Sequence, residues 1–174
     1  REALAMQTRF HGPRSSEVAL AQHGLASILQ IEGRYAEAES LFRAALDLRR
    51  ELHGKDDSRV SRAMHPLASI LWDQGKYAEA ESLGRASLSR NRRLLGEEHP
   101  DTLLDMNRIA LTLALQGRYD DAAELHFETL KIQERVLGEE HPRTLGSLYN
   151  LGRVAAMRGD RAAALDRLQE AVER

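Results

Sequence analysis

The chain has 174 residues, of which 42% are hydrophobic and 30% are charged, as is usual for a soluble globular protein of one or two domains. Its 25 basic and 27 acidic residues lack the basic excess that nucleic-acid binding needs, and no apolar run approaches the roughly 20 residues of a membrane span. The absence of cysteine excludes disulfides and thiolate zinc sites.

The composition favours α-helices along the whole chain. Ala, Leu, Arg and Glu dominate, proline occurs four times, and clusters of β-branched or aromatic residues are missing. We therefore predict an all-α protein. The chain begins with Arg and no signal-peptide pattern follows, so we expect a fragment of a longer protein.

The first predicted element covers residues 1–12. Its sequence, REALAMQTRFHG, matches RAALDLRRELHG, which lies 42 residues later and ends at Gly54. That later stretch is the second helix of a predicted hairpin. Residues 1–12 are therefore interpreted as the second helix of a truncated repeat.

Four pairs of helices follow in register. A glycine recurs every 42 residues, at Gly33, Gly75, Gly117 and Gly159, and an alanine lies five positions after each one. The flanking apolar residues have helical spacing, and glycine suits a helix end because it adopts a left-handed backbone conformation. The predicted first helices cover 16–32, 58–74, 100–116 and 142–158, and the predicted second helices cover 35–52, 77–94, 119–136 and 161–174. The repeats are predicted at 13–54, 55–96, 97–138 and 139–174, within a single domain of residues 1–174.

This pattern resembles the tetratricopeptide repeat. The segment LGEEHPDTLLDMNRIALTLALQGRYDDAAEL, residues 95–125, is similar to the 42-residue unit of kinesin light chains and of many bacterial multidomain proteins, and the resemblance extends over the whole chain. It implies a right-handed α-solenoid of stacked antiparallel helix pairs, with the first helices lining a concave groove. It also implies a non-enzymatic scaffold that binds an extended peptide or a short helix in that groove.

The stretch GEEHP occurs twice and places two glutamates beside His99 and beside His141, a combination suited to metal binding or proton transfer. In the two earlier repeats the histidine position holds Ser15 and Asp57, which are good helix N-caps, and proline follows both histidines. We therefore interpret the motif as a helix start, and HGKDD at residues 53–57 as a polar loop. We predict no catalysis, no cofactor and no metal. A metal-dependent enzyme built on these loops is the least favoured alternative.

The resemblance also indicates where a ligand would lie, on the inner face of each first helix. Asn107 and Asn150 keep part of the asparagine pair that kinesin-light-chain-like units place there. Side-chain amides can hold a peptide backbone and arginine can pair with a carboxylate, so we predict an acidic or C-terminal peptide ligand. The predicted partner-binding residues are Arg62, His65, Ser69, Trp72, Asn107, Arg108, Tyr149, Asn150 and Arg153. We expect a polar cluster of Asn107, Arg108, Asn150 and Arg153, with Arg62 on a neighbouring helix.

Four further residues stand out. Pro66 falls inside a predicted helix, where it removes a hydrogen-bond donor, so the helix either kinks, which we favour, or restarts at this point. Gly84 stands where other repeats have larger side chains, so two helices are expected to approach closely there. Trp72, the only tryptophan, either anchors a partner or packs between hairpins. Arg49 is assigned, with other arginines, to a solvated convex face.

The predicted function is a protein–protein interaction module in the cytoplasm, as the regulatory or recognition part of a larger bacterial multidomain protein. Neither nucleic acid nor membrane is an expected partner. The alternative is an oligomerisation module that assembles through its terminal helices. The last predicted helix supports that alternative because its apolar residues, such as Leu165 and Val172, lack a further helix to pack on.

Overall fold

The computed structural model describes residues 2–54 and 57–173, and all regular secondary structure in these ranges is α-helical. The helices are α1 (Glu2–His11), α2 (Ser16–Ile31), α3 (Tyr35–His53), α4 (Ser58–Asp73), α5 (Tyr77–Leu95), α6 (Pro100–Leu115), α7 (Tyr119–Leu137), α8 (Pro142–Arg158) and α9 (Arg161–Glu173). These bounds agree with the predicted ones to within a residue, and the all-α repeat fold is confirmed. The predicted positions 1, 55, 56 and 174 lie outside the described residues. No helix in the described ranges is long and apolar enough to cross a bilayer.

The first helix of each pair begins behind a side chain that accepts a hydrogen bond from a backbone amide of the first turn. His99 Nδ1 accepts from the Asp101 amide at 3.1 Å, and His141 Nδ1 accepts from the Arg143 amide at 3.2 Å. Proline occupies the first turn of both helices, where no amide donor is needed. The equivalent caps in the two earlier repeats are Ser15 and Asp57. The interpretation of GEEHP as a helix start is confirmed.

The recurring glycines close the first helices. Gly159 adopts a left-handed conformation, with φ of 90° and ψ of 5°, and its amide donates to the carbonyls of the last turn of α8. The other three glycines of this position also have positive φ angles, between 72° and 79°. A side chain with a Cβ would be strained there, which explains why the sequence repeats glycine at this point.

Residues Arg1–Leu83 form one compact unit. Helix α3 packs against both α2 and α4. The apolar stripe of α3 places Ala38, Phe42 and Leu46 in the core, where they are almost fully buried. Met64 and Leu67 of α4 complete that core. Trp72 is partly buried and packs against the same cluster, which supports the packing alternative for this residue.

Residues Gly84–Arg174 form a second compact unit. Helix α7 packs against both α6 and α8, and α8 pairs with α9. The core of this second unit includes Met106, Ile109 and Leu113, all on α6. A Cβ atom placed on Gly84 would lie 3.0 Å from Ile109 Cγ1. Helices α5 and α6 therefore approach closely at this glycine, as predicted.

Helix α4 runs without a break through Pro66, from Ser58 to Asp73. The alternative in which the helix restarts at this proline is therefore wrong. Pro66 is half-buried, and the neighbouring Leu67 and Ile70 are buried in the core of the first unit. Tertiary packing of α4 therefore compensates for the backbone hydrogen bond that proline cannot donate.

A carboxylate inside the first unit fastens the second helix of one repeat to the hairpin loop of the next. Glu39 on α3 accepts from Arg43 Nη2 at 2.7 Å, from Gln74 Nε2 at 2.7 Å and from Lys76 Nζ at 2.8 Å. Burial alone would raise the pKa of Glu39, but these hydrogen bonds outweigh burial and lower it to about 2. Glu39 is therefore ionised at neutral pH and holds the loop between α4 and α5.

Candidate functional site

The histidine loops do not bring metal ligands together. Across residues 2–54 and 57–173, no group of three or more His, Cys, Asp or Glu side chains could hold a metal ion. The Nδ1 atoms of His99 and His141 are occupied as acceptors for backbone amides. A metal ion needs several ligands directed at one point, and these imidazoles are directed at the start of their own helices.

The second unit contains a cavity of about 240 Å³ between α6, α7 and α8. Two of the predicted partner-binding residues, Asn107 and Asn150, lie on its wall. Polar atoms are therefore presented by two first helices and by the second helix between them. The lining residues are Pro100, Asp101, Leu103, Leu104, Asn107, Gln133, Arg143, Gly146, Ser147 and Asn150.

The amide of Asn107 is held in one orientation by two donors. Its Oδ1 lies 3.0 Å from His126 Nδ1 and accepts from Ser147 Oγ at 3.2 Å. An amide oxygen carries no proton, so the His126 ring donates its Nδ1 hydrogen. Within the described residues, no protein group accepts from Asn107 Nδ2. This NH2 group is therefore available to a ligand.

The imidazole that orients Asn107 is neutral at physiological pH. His126 is 1% exposed, and burial, followed by the charge of Arg153, lowers its pKa to about 4. A charged imidazole at this position would have to lose its hydration inside the unit. Asn107 is consequently oriented by a donor whose charge stays constant near pH 7.

Two other amides on the cavity wall lack hydrogen-bond partners. Asn150 is half-buried and has no hydrogen bond to another described side chain or backbone group. Gln133 is 2% exposed, and its Oε1 is buried without a partner. Unpaired buried amide oxygens are uncommon because they lose hydration without compensation. The cavity thus has unused hydrogen-bonding capacity on two of its walls.

Gln133 is not among the residues predicted from the sequence, although the sequence contains a signal for it. It occupies the same repeat position as Arg49 and Asn91, so three successive second helices carry a polar residue there. Asn91 is 1% exposed and donates from Nδ2 to Asp105 Oδ2 at 2.8 Å. A polar residue that recurs at one position of an amphipathic helix and is buried there does not belong to a solvated face.

The remaining predicted residues of the second unit lie outside this cavity. Tyr149 and Arg153 are exposed on α8, with the guanidinium carbon of Arg153 6.0 Å from the centre of the Tyr149 ring. Arg108 is half-buried on α6; burial lowers its pKa, and the charge of Asp105 partly opposes that effect. The structure therefore joins Asn107 and Asn150, and it couples Arg108 to the buried Asp105.

The predicted residues of the first unit have different surroundings. Ser69 is half-buried and accepts a hydrogen bond from Gln30 Nε2 at 3.4 Å, and His65 is also half-buried. Arg62 is exposed and lines a separate cavity of about 270 Å³ with His23, Arg49 and Arg59. The expected association of Arg62 with the polar residues of the second unit stays a prediction.

Arg49 corrects one part of the sequence interpretation. The sequence predicts that this residue lies on a solvated convex face, but it is half-buried on the wall of the cavity that Arg62 lines. Burial, followed by the positive charge of Arg62, lowers its pKa. Other arginines of that predicted face are paired with acids at the surface, as Arg50 is with Asp47 at 3.0 Å. Arg49 must therefore be considered with the cavity and not with the surface.

Comparison with known proteins agrees with this architecture. The tetratricopeptide repeat family matches the chain over residues 1–51, 17–83, 59–126 and 105–174. Two crystal structures of nearly identical TPR-like repeats, described as those of a kinesin light chain from Podosopora anserina, align with TM-scores of 0.87 and 0.85 at 24% and 25% identity. Each alignment covers 98% of this chain, and they cover 80% and 81% of those chains.

Similar folds occur in other proteins. BtubC (BKLC) from P. vanneervenii aligns with a TM-score of 0.78 at 23% identity, over 90% of this chain and 63% of that one. The apo form of RapI aligns with a TM-score of 0.77 at 16% identity, over 96% of this chain and 58% of that one. No curated protein matches the chain in sequence.

Proposed function

The chain belongs to the tetratricopeptide repeat family, and on that premise we propose that it is a non-enzymatic scaffold that binds a segment of a partner protein across α6 and α8. Repeats of this fold generally mediate protein–protein interactions. The observation that carries the proposal is the pair of amides, Asn107 and Asn150, on the wall of one cavity with unused hydrogen-bonding groups. An amide both donates and accepts, so it matches the alternating N–H and C=O groups of a peptide backbone.

Apolar side chains beside the cavity supply contact area for such a segment. Leu104 on α6 and Tyr149 on α8 are both large and partly exposed, at 40% and 51%. Exposed aromatic and arginine side chains commonly anchor protein interfaces. Tyr149 and Arg153 stand together on α8 and are suited to that function.

An acidic or C-terminal segment is the preferred ligand in this proposal. Arg153 is exposed and, among the described residues, has no carboxylate within ion-pair distance. Its guanidinium can donate two parallel hydrogen bonds to a carboxylate. Because Arg153 lies one helical turn from Tyr149 and Asn150, a segment held by the amide would bring its carboxylate within reach of this arginine.

A peptide-binding screen tests the proposal. Acidic peptides and peptides with free C-termini are expected to bind the purified chain, and both Asn150→Ala and Arg153→Glu are expected to weaken binding. The control is Arg161→Glu, which makes the same charge change on α9. If peptides that bind the unsubstituted chain bind Asn150→Ala and Arg153→Glu equally well, the α6–α8 site is not where partners bind.

The alternative is self-association through the terminal helices. Phe10 on α1 is 76% exposed and Leu165 on α9 is 69% exposed, which leaves apolar surface at both ends of the described chain. Sedimentation velocity over a wide concentration range distinguishes this alternative, since a strict monomer at the highest concentration would remove it. We also propose a cytoplasmic location in a larger bacterial multidomain protein, on the resemblance of the 42-residue unit alone.

A further inference from the structure

Each of the two units contains a cavity at equivalent repeat positions. The first-unit cavity is lined by His23 of α2, Arg49 of α3, and Arg59 and Arg62 of α4. Two repeats later, the equivalent positions are Asn107, Gln133, Arg143 and Gly146, and all four line the second-unit cavity. In both units, a polar cavity lies where the first helices of two consecutive repeats meet the second helix between them.

The two copies differ in charge. The lining of the second-unit copy includes three neutral amides, one arginine and one aspartate, whereas the first-unit copy has three arginines and a histidine. Arg59 is paired with Asp57, its Nη2 lying 2.7 Å from Asp57 Oδ2. Across residues 2–54 and 57–173, no carboxylate lies within ion-pair distance of Arg49 or Arg62. Two positive charges thus share one cavity of about 270 Å³ without a described counter-charge.

We propose that the first-unit cavity binds a doubly charged phosphoryl group. Arg49 and Arg62 would donate hydrogen bonds to its oxygens, and His23 and Arg59 complete the cavity lining. Guanidinium groups present planar pairs of N–H donors that match phosphate oxygens, and clustered arginines are the usual protein ligand for phosphoryl groups. The two arginines come from different helices, so an anion between them would hold α3 and α4 together.

The charge balance favours a phosphoryl group over a carboxylate. A phosphoryl group carries about −1.5 to −2 charges at pH 7, which matches the two unpaired guanidinium groups. A carboxylate would neutralise only one of them. Burial and the charge of Arg62 both disfavour the charged form of Arg49, and a bound dianion reverses the second effect. Burial and then the charge of Arg49 also lower the pKa of His23, whose ring lies on the wall of the same cavity.

This inference goes beyond the α6–α8 site and does not depend on it. The chemistry is the phosphoryl group itself, which could belong to a phosphorylated side chain of a partner or to a free phosphate ion. The same cavity residues would bind the phosphoryl group from either source, and the relative affinities for a phosphopeptide and for inorganic phosphate distinguish the two.

The experiment titrates the purified chain with inorganic phosphate, with a phosphoserine peptide and with the same peptide carrying glutamate, while NMR follows the ring signals of His23. Both phosphoryl probes are expected to shift those signals saturably and to raise the pKa of His23. Arg49→Gln and Arg62→Gln are each expected to weaken binding by about 10- to 100-fold. Arg62→Lys keeps the charge but loses the planar pair of N–H donors. Its affinity for the phosphoryl probes is expected to lie between those of Arg62→Gln and the unsubstituted chain.

The matched control is Arg50→Gln, which removes the same charge from the neighbouring position of α3 and leaves phosphoryl binding unchanged. Tighter binding of the phosphopeptide than of phosphate assigns the site to a partner, and equal binding assigns it to the free ion; both support the site. The proposal is overturned if His23 does not respond, if Arg50→Gln weakens binding as much as Arg49→Gln, or if the glutamate peptide binds as tightly as the phosphopeptide. Asn150→Ala, which alters only the α6–α8 site, should retain phosphoryl binding, so the two proposals can fail separately.

Discussion

His126 Nδ1 on α7 donates to Asn107 Oδ1 on α6 across a distance of 3.0 Å, which links a buried imidazole to the amide on the cavity wall. The two residues lie in one predicted repeat, on its first and second helices. One of the two donors that orient Asn107 is therefore a side chain that is 1% exposed. Preorganised polar groups of this kind bind with a smaller loss of side-chain entropy.

Acidification should destabilise the protein through His126. The folded imidazole has a pKa of about 4 and the unfolded one about 6.5, so the unfolded state binds more protons between these values. The free energy of unfolding should therefore fall, by up to about 3 kcal/mol, as the pH is lowered from about 6.5 to about 4. Urea unfolding at several pH values measures this slope.

Two variants separate titration from hydrogen bonding at this site. His126→Gln can still donate to Asn107 but does not titrate, so its stability should depend less on pH in that range. Asn107→Ala removes the acceptor and keeps the imidazole, whose pKa is lowered by burial and Arg153, so it should be less stable but keep the slope. If the unsubstituted chain, His126→Gln and Asn107→Ala all showed the same dependence of unfolding free energy on pH, this account would be contradicted.

Glu39→Gln should destabilise the first unit. Glutamine cannot accept from Arg43, Gln74 and Lys76 as a carboxylate does, and we expect a cost of about 1–3 kcal/mol at pH 7. The folded pKa of Glu39 is about 2, below that of the unfolded carboxyl, so its contribution is present above about pH 5 and is lost as the pH falls towards 2. The stability gap between the two proteins should close in the same interval.

The control for Glu39 is Glu32→Gln. Glu32 pairs with Arg34 at 3.3 Å on the surface, where such pairs contribute little. Its effect on thermal unfolding should stay within about 0.5 kcal/mol. A Glu39→Gln variant as stable as Glu32→Gln at pH 7 would show that the Glu39 network does not hold the loop.

Two glycines of α8 should respond to alanine in opposite directions. A Cβ on Gly146 meets nothing within 4 Å, so Gly146→Ala should stabilise the helix by about 0.5–1 kcal/mol. A Cβ on Gly152 would lie 2.8 Å from Leu168 Cγ and 3.3 Å from the Ala164 carbonyl oxygen. Gly152→Ala should therefore push α9 away from α8 and cost about 1–3 kcal/mol. Chemical denaturation of both variants is the measurement, and a change of the same sign in both would be inconsistent with this packing.

Removing the histidine cap should weaken α6 without removing any metal. His99→Ala leaves the Asp101 amide without its acceptor and should cost about 0.5–2 kcal/mol, whereas His99→Asn should retain most of the stability. Thermal unfolding compares the variants. Metal analysis of the same preparations tests the enzyme alternative, because stoichiometric zinc that is lost in His99→Ala would support a metal site at this loop.

The sequence was sufficient to predict the helices because their signals are local. The signals depend on backbone geometry within a few residues. They are the glycine at position 33 and at the equivalent positions of later repeats, and the helix caps His99 and His141. Gly84 was also predicted correctly, since a missing side chain at a repeated packing position implies a shorter distance between helices.

The candidate site was only partly predictable because it depends on distances between helices. Register shows that Arg49 and Gln133 are equivalent, but it does not show how far a second-helix side chain reaches between the first helices. The assignment of Arg108 to ligand binding stays a prediction, and the sequence does not show that the buried Asp105, three residues earlier on the same helix, acts on this arginine. Hydrophobic periodicity identifies the buried face and gives no information about polar groups buried within it.

Cavities at equivalent repeat positions have the same location in the fold and differ in the side chains that line them. Four equivalent lining positions hold different side chains in the two units, apart from an arginine at one of them, while the helices around them keep the same register. The chemistry of a cavity can therefore change while the hairpins around it stay the same. With Arg143 already present, the substitutions Asn107→His, Gln133→Arg and Gly146→Arg would copy the first-unit lining into the second unit. If the repeats were once identical, their cavities were identical too. Substitutions at a few lining positions would then be enough to give each cavity its own ligand.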